Sequence, residues 1–329
     1  MTSRGAHWIL SNASICLFFV CSGTAQAQPP AETISLASTT LTDQQVLTGR
    51  KNGNPVTLTG ELRIPGPGSD RLAAVILLHG SGGPGVRERD WSQQLNAMGV
   101  VAFMVNSFSG RGIASTVNDQ DQLGRLAMAI DAYRALELLS KHPRIDPARI
   151  ALMGFSRGGQ AVLYSGLKRL YRMHGPAGGV EFAAYITFYA NCGTRYVDDH
   201  DITDKPVRMF HGSADDYVPV APCRSYVERL RANGKDVTLT EYAGAHHVFD
   251  GVTLRGQGFI KLAQAQTTRR CDLAEATDGK IINRQTGQPF TTGGDPCVER
   301  GTTIAYNPEA HADALRAVRE FVAATLKPK

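Results

Sequence analysis

Unbroken apolar runs alternate along this chain with segments whose apolar residues recur every three or four positions. Residues 72–78 (LAAVILL) and 100–105 (VVAFMV) are continuous apolar runs of the length expected for strands buried on both faces. Residues 90–98 between them predict a helix stopped by Gly99. Residues 119–139 carry Leu123, Leu126, Ile130, Tyr133 and Leu136 at helical spacing, which predicts an amphipathic helix with one face on a sheet. Further strands are expected at 149–153, 182–189, 206–210 and 237–242, and a closing helix at 308–326 with Pro308 in its first turn. Alternating strands and helices from about residue 55 onward predict an α/β fold with a mostly parallel sheet covered on both faces. Residues 251–306 break the rhythm: they are polar, rich in Gly and Thr and weakly periodic, and are expected to form a surface excursion within one domain spanning 28–329.

The chain has 329 residues, 42% of them hydrophobic, enough for one large core. A formal charge of +5 comes from Lys and Arg scattered singly, without the basic stripe of a nucleic-acid binder. The first 27 residues read as a cleaved export signal: Arg4, a short apolar stretch at 15–20, then the small-residue site Ala25-Gln26-Ala27. The stretch is too short to span a bilayer, and Phe19-Val20 ahead of Cys21 fits a lipid-attachment box poorly, so no stable membrane anchor is expected. The expected location is therefore periplasmic or extracellular. Export leaves Cys192, Cys223, Cys271 and Cys297, an even number in an oxidising compartment. Of the three possible pairings, proximity favours Cys192–Cys223 and Cys271–Cys297, each closing a loop of about 30 residues and contributing roughly 3–4 kcal/mol.

Gly154-Phe155-Ser156-Arg157-Gly158 reads G-x-S-x-G, follows an apolar strand and opens a helix that includes Ala161, Val162, Leu163 and Leu167. A serine on a tight strand-to-helix turn projects its hydroxyl above the sheet, and the flanking glycines relieve crowding there. Such a serine needs a base, and the base an orienting acid, in the chain order Ser, acid, His. Both partners follow strand ends downstream: Asp215 or Asp216 in HGSADDYVP, and His246 or His247 in YAGAHHVFD. The pattern alone leaves each choice open.

Gly80-Ser81-Gly82-Gly83-Pro84-Gly85 also matches the dinucleotide fingerprint G-x-G-x-x-G. A nicotinamide enzyme would place an acid at the end of the next strand, where this chain has Val105-Asn106-Ser107, and Pro84 interrupts the entry into the helix. No cofactor is therefore expected. No metal is expected either, since adjacent His246 and His247 point apart on extended backbone and no ligand spacing accompanies them. His79 and His211 read as structural histidines, Asp198, Asp199 and Asp201 as a solvated loop, and Tyr185, Phe188 and Tyr189 as sheet packing.

LLHGSGG at 77–83, GFSRGG at 154–159, HGSADDYVP at 211–219 and YAGAHHVFD at 242–250 together resemble the dienelactone hydrolase family of α/β hydrolases. The resemblance runs from Leu72 to the final helix. It implies the α/β-hydrolase fold, a doubly wound sheet with helices on both faces. It also selects Asp215 by its frame ahead of Val218-Pro219, and His247 by Phe249 two residues on. The family pattern further implies an oxyanion hole made by the backbone N–H groups of Ser81 and Arg157. Dienelactone hydrolases proper carry cysteine as nucleophile, so Ser156 points to general carboxylic-ester hydrolysis of a small-molecule substrate. A peptidase on the same triad and a noncatalytic binding protein on the same scaffold are the alternatives.

Overall fold

The computed structural model describes residues 1–2, 5 and 31–328. Cys16, Cys21, Ala25-Gln26-Ala27 and Gln28, on which the export reading rests, lie outside the described residues.

The chain enters through two antiparallel strands, β1 (Glu32–Thr40) and β2 (Asn54–Arg63), joined through the short helix α1 (Asp43–Leu47). Thr42 and Gln45 cap α1 reciprocally, side chain to backbone. The alternating core follows: β3 (Leu72–Leu78), α2 (Val86–Asn96), β4 (Val101–Asn106), α3 (Ala127–Ser140), β5 (Ile145–Phe155) and α4 (Arg157–Ser165). Then come α5 (Lys168–His174), β6 (Ala184–Phe188), the two-residue β7 (Thr194–Arg195), β8 (Val207–Gly212), α6 (Ala221–Ala232) and β9 (Val237–Tyr242). Four short strands occupy the polar segment: β10 (Ile260–Thr267), β11 (Leu273–Glu275), β12 (Ile281–Asn283) and β13 (Glu299–Ile304). Helix α7 (Pro308–Leu326) closes the chain, with the Asn307 side chain accepting from the Ala310 amide.

Eight strands form one sheet in the order β1-β2-β4-β3-β5-β6-β8-β9. The pairs β1–β2 and β2–β4 are antiparallel, and every later pair is parallel. The apolar runs are continuous because both faces are covered. Ala74, Ile76 and Leu78 of β3 join the core beneath α3, α4 and α6, while Ala73, Val75 and Leu77 join the core under α2 and α7. This is the doubly wound arrangement of the α/β hydrolases. The parallel order has one consequence for chemistry: the carboxyl ends of β3, β5, β8 and β9 lie along a single rim, where ligands bind in open α/β sheets.

Several boundaries differ from the sequence pattern: β5 runs over Ile145–Phe155 rather than 149–153, and β6 over Ala184–Phe188 rather than 182–189. Helix α2 starts at Val86, not Asp90, because the Glu88 carboxylate accepts from the Gly85 amide and caps an earlier turn. Helix α3 starts at Ala127 rather than 119. The carbonyls of Gln120, Leu123 and Gly124 accept from the Arg157 guanidinium, so that stretch forms a single 3-10 turn and a loop instead. Leu167 lies beyond α4, at the start of α5. The polar segment pairs β10 with β13, and β11 with both β12 and β7. Disulfides join Cys192 to Cys223 and Cys271 to Cys297.

The junction of β5 and α4 leaves no room for a side chain. A Cβ on Gly158 would stand 2.3 Å from the Leu78 carbonyl oxygen and 2.6 Å from that of His79. Helix α4 therefore rests directly on the backbone of β3. Gly158→Ala must push the two apart, and a loss of about 3 kcal/mol or more is expected. It is read as a lowered thermal midpoint; an unchanged midpoint would show that the helix can shift freely.

Candidate active site

Ser156 sits between β5 and α4 with φ 53° and ψ −113°, a backbone conformation that side chains rarely adopt. Its amide is held by the Phe188 carbonyl of the neighbouring strand at 2.9 Å. Asp215 follows β8 and His247 follows β9, so topology alone carries both to the serine's rim. His247 Nε2 lies 2.9 Å from Ser156 Oγ, and His247 Nδ1 lies 2.7 Å from Asp215 Oδ2. The carboxylate accepts the Nδ1 proton, which leaves the Nε2 lone pair facing the serine hydroxyl. Asp215 Oδ1 accepts from the Tyr217 and Val218 amides at 2.9 and 2.8 Å. Burial opposes ionisation of Asp215, but the His247 and His211 imidazoles hold its carboxyl well below the usual carboxylate range.

The neighbouring candidates go elsewhere. Asp216 accepts from the Thr303 amide and hydroxyl at 2.7 and 2.9 Å, tying its loop to β13. The His246 ring packs on Phe259, with centroids 5.0 Å apart. His211 donates from Nε2 to the Val218 carbonyl at 2.7 Å and stands 3.4 Å from Asp215 Oδ2, beside the pair rather than in it. Of the acidic trio, Asp199 pairs with Arg229 and Asp201 with Lys168. Among the described residues no cluster of three or more His, Cys, Asp or Glu could hold a metal, and no helix is long and apolar enough to cross a membrane.

Ser81 and Arg157 both line the Ser156 cleft. Among the described residues, no backbone acceptor takes either amide. The two are linked through side chains. Arg157 Nη2 donates to Gln120 Oε1 at 2.8 Å, and Gln120 Nε2 donates to Ser81 Oγ at 3.2 Å. Gln120 is held in turn by the polar segment, its amide donating to Gln266 Oε1 at 2.8 Å. No sequence signal marks Gln120, since its partners are 37 and 39 positions away.

A second set of residues backs the imidazole. Tyr189 and Tyr217 pack against the His247 ring at centroid distances of 4.5 and 4.8 Å. Tyr189, at φ 40°, donates its hydroxyl to Asp250 Oδ1 at 2.7 Å and accepts from Arg87 Nη1 at 3.0 Å. Trp91 Nε1 donates to the other Asp250 oxygen at 2.8 Å. Trp91 is therefore part of the core. Tyr189 does more than pack the sheet, because its ring is one wall of the imidazole's slot. Asp250 stands in the YAGAHHVFD segment, but nothing in that string reveals a buried carboxylate shared by Tyr189 and Trp91.

His79 fixes the glycine loop. Its Nδ1 donates to the Gly80 carbonyl at 2.7 Å, and its Nε2 accepts the Ser107 amide at 3.1 Å. Burial pushes its pKa down to about 4. A histidine held neutral in the fold binds a proton more readily once unfolded. Its contribution is present in full above about pH 6.5 and is lost as pH falls toward 4, on the order of 3 kcal/mol at most. The expected outcome is a thermal midpoint that falls over that window. His79→Asn should flatten that fall, and an undiminished fall in the variant would remove His79 as its source.

Known proteins resemble the chain at both levels. Acyl-protein thioesterase 1 of Emericella nidulans is 29% identical over 140 residues, 42% of this chain; the match spans about half of that protein's length, 56%. A Methylorubrum extorquens protein named as a candidate carboxymethylenebutenolidase is 24% identical over 276 residues, 76% of this chain and 87% of that one. A dienelactone hydrolase-like promiscuous phosphotriesterase from metagenomic libraries superposes with a TM-score of 0.56 at 15% identity, over 90% of this chain and 99% of that one. At that identity the superposition speaks for the fold alone. The dienelactone hydrolase family model matches residues 62–270, more than half of the sequence. With that match, this sheet order and a strand-to-helix serine on its rim, the chain belongs to the dienelactone hydrolase family.

Proposed function

We propose that the chain is an exported serine hydrolase that cleaves carboxylic esters through an acyl-enzyme. The observation that carries this reading is the hydrogen-bonded line from Asp215 through His247 to Ser156, with distances of 2.7 and 2.9 Å. In the first half-reaction Ser156 Oγ attacks the ester carbonyl carbon while its proton passes to His247 Nε2. Asp215 keeps the Nδ1 proton in place and balances the imidazolium. The carbonyl oxygen becomes an oxyanion facing the Ser81 and Arg157 amides, each worth about 3–4 kcal/mol of transition-state stabilisation. Collapse breaks the C–O bond, and the alcohol leaves with the proton from Nε2. Water then repeats the sequence on the acyl-enzyme, releasing the acid and returning the proton to Ser156. No step calls for a cofactor or metal.

Export is supported by the two disulfides, which persist in oxidising compartments. We place residues 1–27 as its signal and 28–329 as one domain, with the segment at about 251–306 as an elaboration of it.

Ser156→Ala is expected to lower turnover of 4-nitrophenyl acetate about 10⁴-fold or more with little change in thermal midpoint. A fluorophosphonate probe should label the wild type and not the variant. Retained turnover would overturn the assignment, and a wild type inert to ester and probe alike would favour the binding-protein alternative. Asp215→Asn should cost on the order of 10⁴-fold in kcat, whereas Asp216→Asn should cost about tenfold or less. The reverse ranking would move the acid to Asp216.

A further inference from the structure

The cleft above Ser156 is narrow and polar, with a free volume of about 50 Å³. Ser81, Gln120, Gln160, Asn191 and Thr292 are among its walls. Beside it lies a larger cavity of about 390 Å³, within the roughly 300–1,000 Å³ of small-molecule sites. The two share Gln120 and Arg125 in their walls. The rest of the larger cavity includes Leu123, Ile281, Pro289 and Phe290, the last three from the polar segment. The Arg125 guanidinium lies over the Phe290 ring at 4.5 Å, which makes a flat wall that is apolar and cationic at once.

This wall is built before any ligand arrives. The Phe290 amide donates to the Ile281 carbonyl at 2.8 Å, and the Thr292 and Gly293 amides donate to Asp121 at 3.1 and 2.8 Å. From the other side Gln44 Nε2 reaches the Asp278 carbonyl at 3.1 Å. A preformed pocket with a ring and a guanidinium in one wall suits a flat π-system better than a flexible alkyl chain.

The direction of the cavity assigns the end of the ester it takes. The alcohol must depart beside His247 Nε2, whose proton it carries away and whose ring packs on Tyr189. The larger cavity has neither His247 nor Tyr189 in its wall. It shares with the cleft Gln120, the residue that bridges Ser81 and Arg157 on the oxyanion side. We propose that the cavity bounded by Leu123, Arg125, Ile281 and Phe290 binds an aryl group carried on the acyl part of the substrate. The preferred substrates are then esters of arylalkanoic acids with small alcohols. This deepens the ester-hydrolase reading and rests on it.

The test uses three esters on the full chain: methyl 3-phenylpropanoate, 2-phenylethyl acetate and ethyl acetate, followed by pH-stat. Two variants alter the cavity. Phe290→Ala removes its ring, and Thr291→Trp, at an exposed position on its rim, fills it. For each variant the ratio of kcat/KM for the phenylpropanoate to that for ethyl acetate should fall about tenfold relative to wild type. The ratio of phenylethyl acetate to ethyl acetate should hold. If neither ratio moves in either variant, the cavity does not bind the aryl group. If the second moves instead of the first, the acyl assignment is wrong. A wild type that cleaves none of the three and takes no fluorophosphonate label would defeat the ester-hydrolase reading itself, a result distinct from either of these.

Discussion

Everything at the rim depends on how closely helix α4 approaches the ends of β3 and β6. Three glycines permit that approach. A Cβ at Gly154 would meet Gly158, one at Gly158 would meet Leu78 and His79, and one at Gly159 would meet the Phe188 carbonyl, all within 2.8 Å. Contact that close leaves Ser156 no freedom to relax from its positive φ. The strain is held by packing on either side together with the bond from the Ser156 amide to the Phe188 carbonyl. The result is a hydroxyl raised above the sheet at a fixed height, and the other loops need only reach it. Gly80 lies against the same point, where an added Cβ would stand 3.4 Å from the Ser156 Cβ. The glycine loop and the serine turn are thereby set at one spacing.

The polar segment fixes the loops that reach in. Thr303 holds Asp216, next to Asp215, and Thr267 Oγ1 donates to the Tyr217 carbonyl at 2.6 Å. The Ala305 amide donates to the His247 carbonyl at 3.2 Å, and Gln266 holds Gln120. The loops carrying Asp215, His247 and Gln120 are thus all bonded to β10, β13 or the turn just after β13. Loops on a sheet rim are normally the most mobile part of such a fold. Here they are buttressed by a second layer of backbone, and the Cys271–Cys297 disulfide lies within that layer.

The legible and illegible parts of this protein divide along a physical line. A strand buried on both faces must be apolar throughout, so 72–78 could be read almost to the residue. The α7 boundaries followed from Pro308 and its helical spacing in the same way. Strands β1 and β2 escaped notice because only one face is buried. Leu36, Leu58 and Leu62 stand among Ser, Thr and Glu, and so short an alternation competes with a loop. The start of α3 is illegible for a different reason. Leu123 and Leu126 keep the helical spacing and are buried, yet the carbonyls between them belong to a guanidinium 34 positions away. Hydrophobic periodicity reports which side chains face the core and says nothing of where carbonyls point. At the site, the strand ends and the order Ser, acid, His mark Ser156 and narrow its partners to Asp215 or Asp216 and His246 or His247, and the family resemblance is what singles out Asp215 and His247. Gln120, Tyr189 and Asp250 act through partners that only the fold brings near.

The rim also carries two buried charges with opposite surroundings. Asp215 is surrounded by donors: two amides and two imidazoles face its carboxylate. Among the described residues, the direct acceptors of the Arg157 guanidinium are neutral, the carbonyls of Gln120, Leu123 and Gly124 and the Gln120 amide oxygen, while the Asp43 and Asp121 carboxylates act on it without a hydrogen bond. Burial, together with nearby Arg125, lowers its pKa to about 10, so it stays charged at neutral pH. A buried cation with no carboxylate bonded to it costs stability and needs a reason. The proposed reaction supplies one. As Ser156 attacks, positive charge grows on His247 beside Asp215, and negative charge grows on the oxygen facing the Ser81 and Arg157 amides. The developing imidazolium then lies next to the fixed charge of Asp215, and the Arg157 guanidinium, on the residue whose amide faces the oxyanion, adds a positive field on that side, both set in place before the substrate binds. An Asp or Glu paired with Arg157 would satisfy the folded state better and oppose the oxyanion. The neutral partners of this arginine are what the chemistry, rather than stability, would favour.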